Sequence, residues 1–210
     1  LYSKKKSLFG RINMMIKASP LRNRIRCQLA SKCGGCDWVN IDYPEQLKLK
    51  DLVLNDIYKP LNQAACVEKI SPSEQIDYYR NKSFMPLGLV EQIPVYGMYA
   101  RSSHEVTAQT NCYIHPPLFN AIADEIISYI KKSNAQVYDE KTHTGNIRHI
   151  GIRCNHDQSE ILLILVTKSR KLPFTRLLIR QIQEQFPQVC GIIQNIQSEL
   201  TNVILGEEDR

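Results

Sequence analysis

The sequence predicts an α+β fold: an antiparallel β-sheet with two packed helices, joined to a small cysteine-rich subdomain. Three observations predict it. Short extended runs broken by Pro94 and polar turns fill residues 79–108, the texture of an antiparallel meander. Two helical patterns, at residues 116–130 and 173–186, are interleaved with further strand-like runs, unlike the strict alternation of a doubly wound parallel sheet. Cys27, Cys33 and Cys36 fall within ten residues, the last two separated by Gly34-Gly35.

The elements follow in order. Residues 1–20 carry a basic cluster (Lys4, Lys5, Lys6, Arg11) and an apolar run at 12–16 that reads as a closing strand or a solvated tail, ended by Ser19-Pro20. After the cysteines comes Trp38, the only Trp, which suits either a shield for a metal centre or a core position. Asp42 is a candidate N-cap and Pro44 suits a first turn. Leu47, Leu49, Leu52, Val53, Leu54 and Ile57 then mark an amphipathic helix stopped before Pro60. Ser71-Pro72-Ser73 is a linker signal. Strands are expected at 79–90, 95–100, 105–108, 136–138, 147–153, 161–167, 191–196 and 203–205. Pro116-Pro117 opens one helix, with Leu118, Ile122, Ile126, Ile127 and Ile130 on its apolar stripe. Leu177, Leu178 and Ile182 mark the other.

With 210 residues, 43% hydrophobic and 23% charged, the chain has room for one sizeable domain and a smaller neighbour. No apolar run reaches the roughly 18 residues of a membrane span. The start has no Met and no signal-peptide core, so the sequence reads as a piece of a longer chain. Its net charge of +6, from 27 basic and 21 acidic residues, leans towards a polyanionic partner. The seven cysteines are clustered and odd in number, which fits a metal site in a reducing compartment better than a disulfide framework. A fourth ligand has to come from Cys66, Cys112, Cys154, Cys190 or one of five His. The spacing leaves both a zinc site and an iron–sulfur centre open.

Cys-x5-Cys-Gly-Gly-Cys, Trp38 and Tyr43-x-x-Gln46-Leu47-x-x-Lys50 resemble the iron–sulfur RNA uracil-5-methyltransferases, which form 5-methyluridine in 23S ribosomal RNA. Further matches follow in that family's order: Tyr79-Arg80-Asn81-Lys82, Gly97-x-Tyr99 with Ser103-His104, and Cys112-x-Ile114-x-Pro116. Gly145-x-Ile147-Arg148-His149-x-x-Ile152-Arg153 and Asn195 with Thr201-Asn202-x-x-Leu205-Gly206 complete the set. The likeness covers about residues 19 to 206. One departure is Val39-Asn40, where the family usually has Gln-His.

The resemblance implies a [4Fe-4S] cluster held by Cys27, Cys33, Cys36 and Cys112; Cys66, Cys154 and Cys190, in or beside apolar segments, read as buried, inert thiols. It divides the chain into the end of an N-terminal OB-like (TRAM) RNA-binding domain (1–20), the cluster loop and helix (21–66), and a central α+β RNA-binding domain (67–210). S-adenosylmethionine and the catalytic residues belong to a C-terminal domain outside these residues, so no catalytic residue is expected here and the piece alone should be inactive. The implied partner is 23S ribosomal RNA, bound by a cytoplasmic monomer. A transfer-RNA uridine methyltransferase and a non-enzymatic zinc- or cluster-stabilised RNA-binding module are the alternatives. Arg80, Lys82, Arg101, His104, Arg148, His149 and Arg153 are the candidate RNA contacts, with Tyr78, Tyr79 and Tyr99 available to stack on bases.

Overall fold

In the computed structural model, which describes residues 2–4, 7–9, 13–61 and 68–210, the cysteine loop folds with the sheet rather than with the helix that follows it. One unit comprises residues 1–26 and 38–72, the other residues 27–37 and 73–210.

In the first unit, β1 (Tyr2–Lys4) and β2 (Ser7–Phe9) pair as an antiparallel hairpin. The apolar run expected at 12–16 is irregular over residues 13–15, and Met14 and Ile16 stand in solvent; Ile12 lies outside the described residues. Helix α1 (Tyr43–Tyr58) starts where Pro44 allows and runs into a short 3₁₀ turn at Lys59–Leu61. Asp42 precedes it but makes no capping bond, because its carboxylate accepts from the Asn23 side chain instead. Gln46 Nε2 donates to the carbonyls of Trp38 (3.0 Å) and Ile41 (2.8 Å), and Lys50 lies 5.8 Å from the centre of the Trp38 ring. Gln46 and Lys50 are four apart, so one helix face holds the Trp38 turn.

The second unit is built on β3 (Lys82–Val90), β4 (Ile93–Tyr99), β5 (Val106–Ala108), α2 (Pro117–Ser133), β6 (Ile147–Cys154), β7 (Ile161–Thr167), α3 (Thr175–Gln185), β8 (Val189–Ile196) and β9 (Glu208–Asp209). The sheet order is β5-β4-β3-β6-β7-β8-β9. All pairs are antiparallel except β7–β8, whose parallel pairing is made possible by the α3 crossover. The sheet is therefore mixed, not purely antiparallel. The strand expected at 136–138 reduces to a single bridge, Val137 to Ile147, and residues 203–205 are irregular, with β9 pairing to β8 a few residues later.

The core lies on one sheet face. Met85 and Leu87 of β3, Ile150 and Ile152 of β6, and Leu163 and Leu165 of β7 pack with Ile122 and Ile126 of α2 and Leu178 and Ile182 of α3. Alternation sends the intervening residues to the other face. A bulge in β6 between Ile147 and His149 interrupts that alternation. There Arg148 is buried, and its guanidinium donates to the carbonyls of Gln197 (2.8 Å), Glu199 (2.7 Å) and Thr201 (3.3 Å) while lying 4.3 Å from the Tyr138 ring. Asn195 and Gly206 add a reciprocal pair, Asn195 Nδ2 to the Gly206 carbonyl (3.0 Å) and the Gly206 N–H to Asn195 Oδ1 (2.8 Å). Side chains, rather than a strand ladder, thus hold the stretch after β8. Among the described residues no helix is long and apolar enough to cross a membrane.

Replacing Arg148 by Met keeps the stem but leaves three buried or half-buried carbonyls without their donor. Arg148→Met should lower stability by about 2–4 kcal/mol, read as a fall in urea midpoint at unchanged m-value.

Candidate functional site

The loop carrying Cys27, Cys33 and Cys36 docks on the end of β4 and the residues just after it. The Gly34 N–H donates to the Tyr99 carbonyl (2.9 Å), and the Arg101 N–H donates to the Lys32 carbonyl (3.2 Å). The Arg101 side chain closes the contact: Nη1 donates to Asp37 Oδ1 and Nη2 to the Cys36 carbonyl, both at 2.6 Å. Gly34 is required by proximity, since a Cβ there would lie 2.9 Å from the Tyr99 oxygen. The loop is thereby held by backbone pairing on one side and a fork of arginine bonds on the other.

Cys112, on the segment between β5 and α2, lies near enough to Cys36 to act on its thiol. It is buried, as is Cys33, whereas Cys27 and Cys36 are half-buried; all four are free thiols. Burial pushes the Cys36 thiol up, the neighbouring Cys112, Cys33 and Cys27 push it further, and Arg80 pulls it down. Burial also raises Cys112, opposed by the N–H groups of Ile114 and His115 and by Gln109, while Cys33 adds to the rise. The Gly35 N–H donates to Cys33 Sγ (3.3 Å). Cys36 and Cys112, both held towards the neutral thiol, with N–H groups aimed at Cys112 and at Cys33, form a donor set that positive charge would relieve. Among the described residues no group of three or more His, Cys, Asp or Glu is arranged to hold a metal ion. Of the remaining thiols, Cys154 is buried, while Cys190 is exposed, not buried as expected, and bonds the Ile161 carbonyl (3.4 Å). Cys66 lies outside the described residues.

The basic candidates separate into two groups. Arg80 sits beside Cys36 and His115, with its N–H on the Ile114 carbonyl (2.8 Å). Lys82 and Arg153 are exposed. Arg101 is exposed but engaged in the cysteine loop, and exposed His104 pairs with Glu140 (2.7 Å) and stacks on Tyr99 (5.3 Å between ring centres). Arg148 and His149 are buried rather than on the surface. Tyr79 is exposed, whereas Tyr78 and Tyr99 are half-buried. His149 Nε2 lies 3.4 Å from the Tyr99 hydroxyl, and its buried Nδ1 has no partner. Burial, with the Arg148 charge beside it, pushes His149 down to about 4. Asp37, Glu140 and Gln109 were not singled out from the sequence. Only Asp37, adjacent to Cys36, carried any signal there.

No protein-family model matches the chain. Its fold is shared with a solved methyltransferase, the Pyrococcus abyssi tRNA (uracil-54, C5)-methyltransferase in complex with S-adenosyl-L-homocysteine. The TM-score is 0.68 and the identity 20%, over 93% of this chain and 43% of that one. In sequence the chain is similar to proteins described as uncharacterized RNA methyltransferases. The Clostridium tetani protein is 36% identical over 193 aligned positions, covering 90% of this chain and 42% of the relative. Those of Oceanobacillus iheyensis and a Nostoc species are each 33% identical, covering 96% and 100% of this chain and 44% and 46% of theirs. The chain spans a little under half the length of these relatives.

His149 sets a pH dependence. The unfolded residue takes up a proton near its ordinary value of 6.5, the folded one only near 4. The unfolded state therefore binds more protons between these values, and stability, full above pH 6.5, falls as the pH drops through that window, by about 3 kcal/mol. Urea midpoints at pH 7 and pH 4.5 should differ accordingly, and His149→Gln should remove most of the difference.

Proposed function

We propose that this chain is the RNA-positioning, cluster-bearing part of an S-adenosylmethionine-dependent RNA methyltransferase that forms 5-methyluridine in 23S ribosomal RNA. The observation that carries the reading is that Cys112, Cys33 and Cys27 lie near enough to Cys36 to act on its thiol, on a loop fastened by Arg101. The similarity to RNA methyltransferases over nearly the whole chain supports the RNA substrate. Uracil C5 as the methylated atom comes from the sequence motifs, and the P. abyssi enzyme, of the same fold, acts on that position of a tRNA uridine.

The four thiolates suit a [4Fe-4S] cluster, as soft ligands with N–H groups directed at sulfur. Bound there, the cluster would tie the 27–36 loop to Cys112 across a long stretch of chain, a structural role. S-adenosylmethionine would supply the methyl group, in the part of the protein beyond these residues. The work of this chain is to hold the RNA: Lys82, Arg153, Arg80 and His104 offer positive or protonatable groups at or near the surface, while Arg148 acts from within by fixing the loop after β8. We place the protein in the cytoplasm, as a monomer.

Anaerobically purified protein should be brown, with about four irons and four acid-labile sulfides per chain. Cys112→Ser should lose most of both. One zinc per chain and no iron would sink the cluster assignment and favour a zinc-stabilised binding module. The enzyme containing this chain should methylate a 23S ribosomal RNA fragment in preference to transfer RNA; the opposite preference would overturn the ribosomal assignment.

A further inference from the structure

The sheet face turned away from the helices carries a feature that neither the core nor the cysteine centre requires. Lys82 of β3 and Arg153 of β6 are direct cross-strand partners. Like charges set opposite one another destabilise a sheet. Both are exposed, and neither makes a salt bridge or side-chain hydrogen bond among the described residues. Two residues on, the next pair on the same face is Phe84 and Gly151. A Cβ at Gly151 would sit 2.5 Å from Phe84 Cε1 and 2.9 Å from Cδ1, so the ring lies across the glycine, filling the space a side chain would need. Phe84 is only half-buried, unlike its neighbours Ser83 and Met85, which point to the core. The result is an aromatic ring laid over a glycine in a central strand pair, with two unneutralised cations one residue pair away.

We propose that this face is a stacking platform for single-stranded RNA: a base stacks on Phe84, and Lys82 and Arg153 hold the adjoining phosphates. The inference rests on the RNA-binding reading above and gives it a place and a mode. An aromatic side chain on an open sheet face is a sequence-tolerant base receptor. Two cations within one strand pair, without an acidic partner among the described residues, suit the phosphates of a nucleic-acid backbone. The unfavourable Lys82–Arg153 juxtaposition is then relieved when a phosphate arrives.

The test uses a fluorescein-labelled ten-nucleotide oligouridylate and, separately, a base-paired RNA duplex of mixed sequence. Phe84→Leu, which keeps an apolar side chain but removes the π-face, should weaken oligouridylate binding about tenfold without changing its salt dependence. Phe84→Tyr should restore it, which separates stacking from any loss of packing. Lys82→Gln with Arg153→Gln, both at exposed positions, should weaken binding and reduce the slope of log affinity against log salt by about 1.4. If wild type binds oligouridylate but Phe84→Leu binds equally well, or if the duplex binds as tightly, the platform is overturned while the RNA reading stands. If wild type binds neither RNA, both fail.

Discussion

The pairing of β3 with β6 is the contact on which the rest of the sheet unit depends. It sits in the middle of the sheet and sets, by its register, which side chains face the helices and which face away. A slip of one residue would turn Met85 and Leu87 outward and bring Lys82 and Phe84 inward. Burying Lys82 without a partner costs several kcal/mol, and exposing the core residues forfeits their hydrophobic burial, so the observed register is strongly preferred. β4 hangs from one side of this pair and presents the segment on which the cysteine loop docks. β6 carries at one end the bulge that turns Arg148 to the loop after β8, and at the other Arg153.

The cysteine centre illustrates a division of labour between backbone and side chain. A Gly-Gly turn between two cysteines is flexible by itself, and its shape here is imposed by acceptors already fixed on the sheet. Arg101 contributes both to direction, through the Cys36 carbonyl, and to charge, through Asp37. Its ion pair is exposed and so adds little stability as a charge pair; its value lies in setting the course of the loop. Positive charge near the sulfurs comes instead from Arg80, which the continuation of the chain towards β3 brings past Cys112.

Much of this was legible in the sequence because periodicity and turn chemistry act locally. The three helices and the strands expected at 79–90, 147–153 and 161–167 follow from 3.6-spaced, alternating or continuous apolar residues, the first strand beginning only at Lys82, and Pro44 and Pro117 mark two helix starts. What escaped depends on contacts distant in sequence. Nothing in residues 189–196 announces a parallel partner, and Val203 and Leu205 have the composition of a strand without an edge to join. The bulge at Ile147/His149 was hidden for the same reason: Arg148 and His149 read as surface cations because their partners, the loop after β8 for Arg148 and Tyr99 for His149, lie far away in sequence. Cys112 could be named only through its motif, since spacing alone left several sulfurs and histidines eligible.

Arg148 recognises its loop entirely through main-chain oxygens, and this has an evolutionary consequence. A carbonyl is presented by every residue type, proline included, so the side chains at positions 197, 199 and 201 do not enter into these three bonds. The path of the loop is thus encoded at a distance, 49 to 53 positions upstream, in one guanidinium. Sequence drift along such a loop can be extensive while its course is kept, whereas drift at the arginine is blocked. Tolerance and intolerance to substitution are in this way separated onto different parts of the chain, although both serve the same contact.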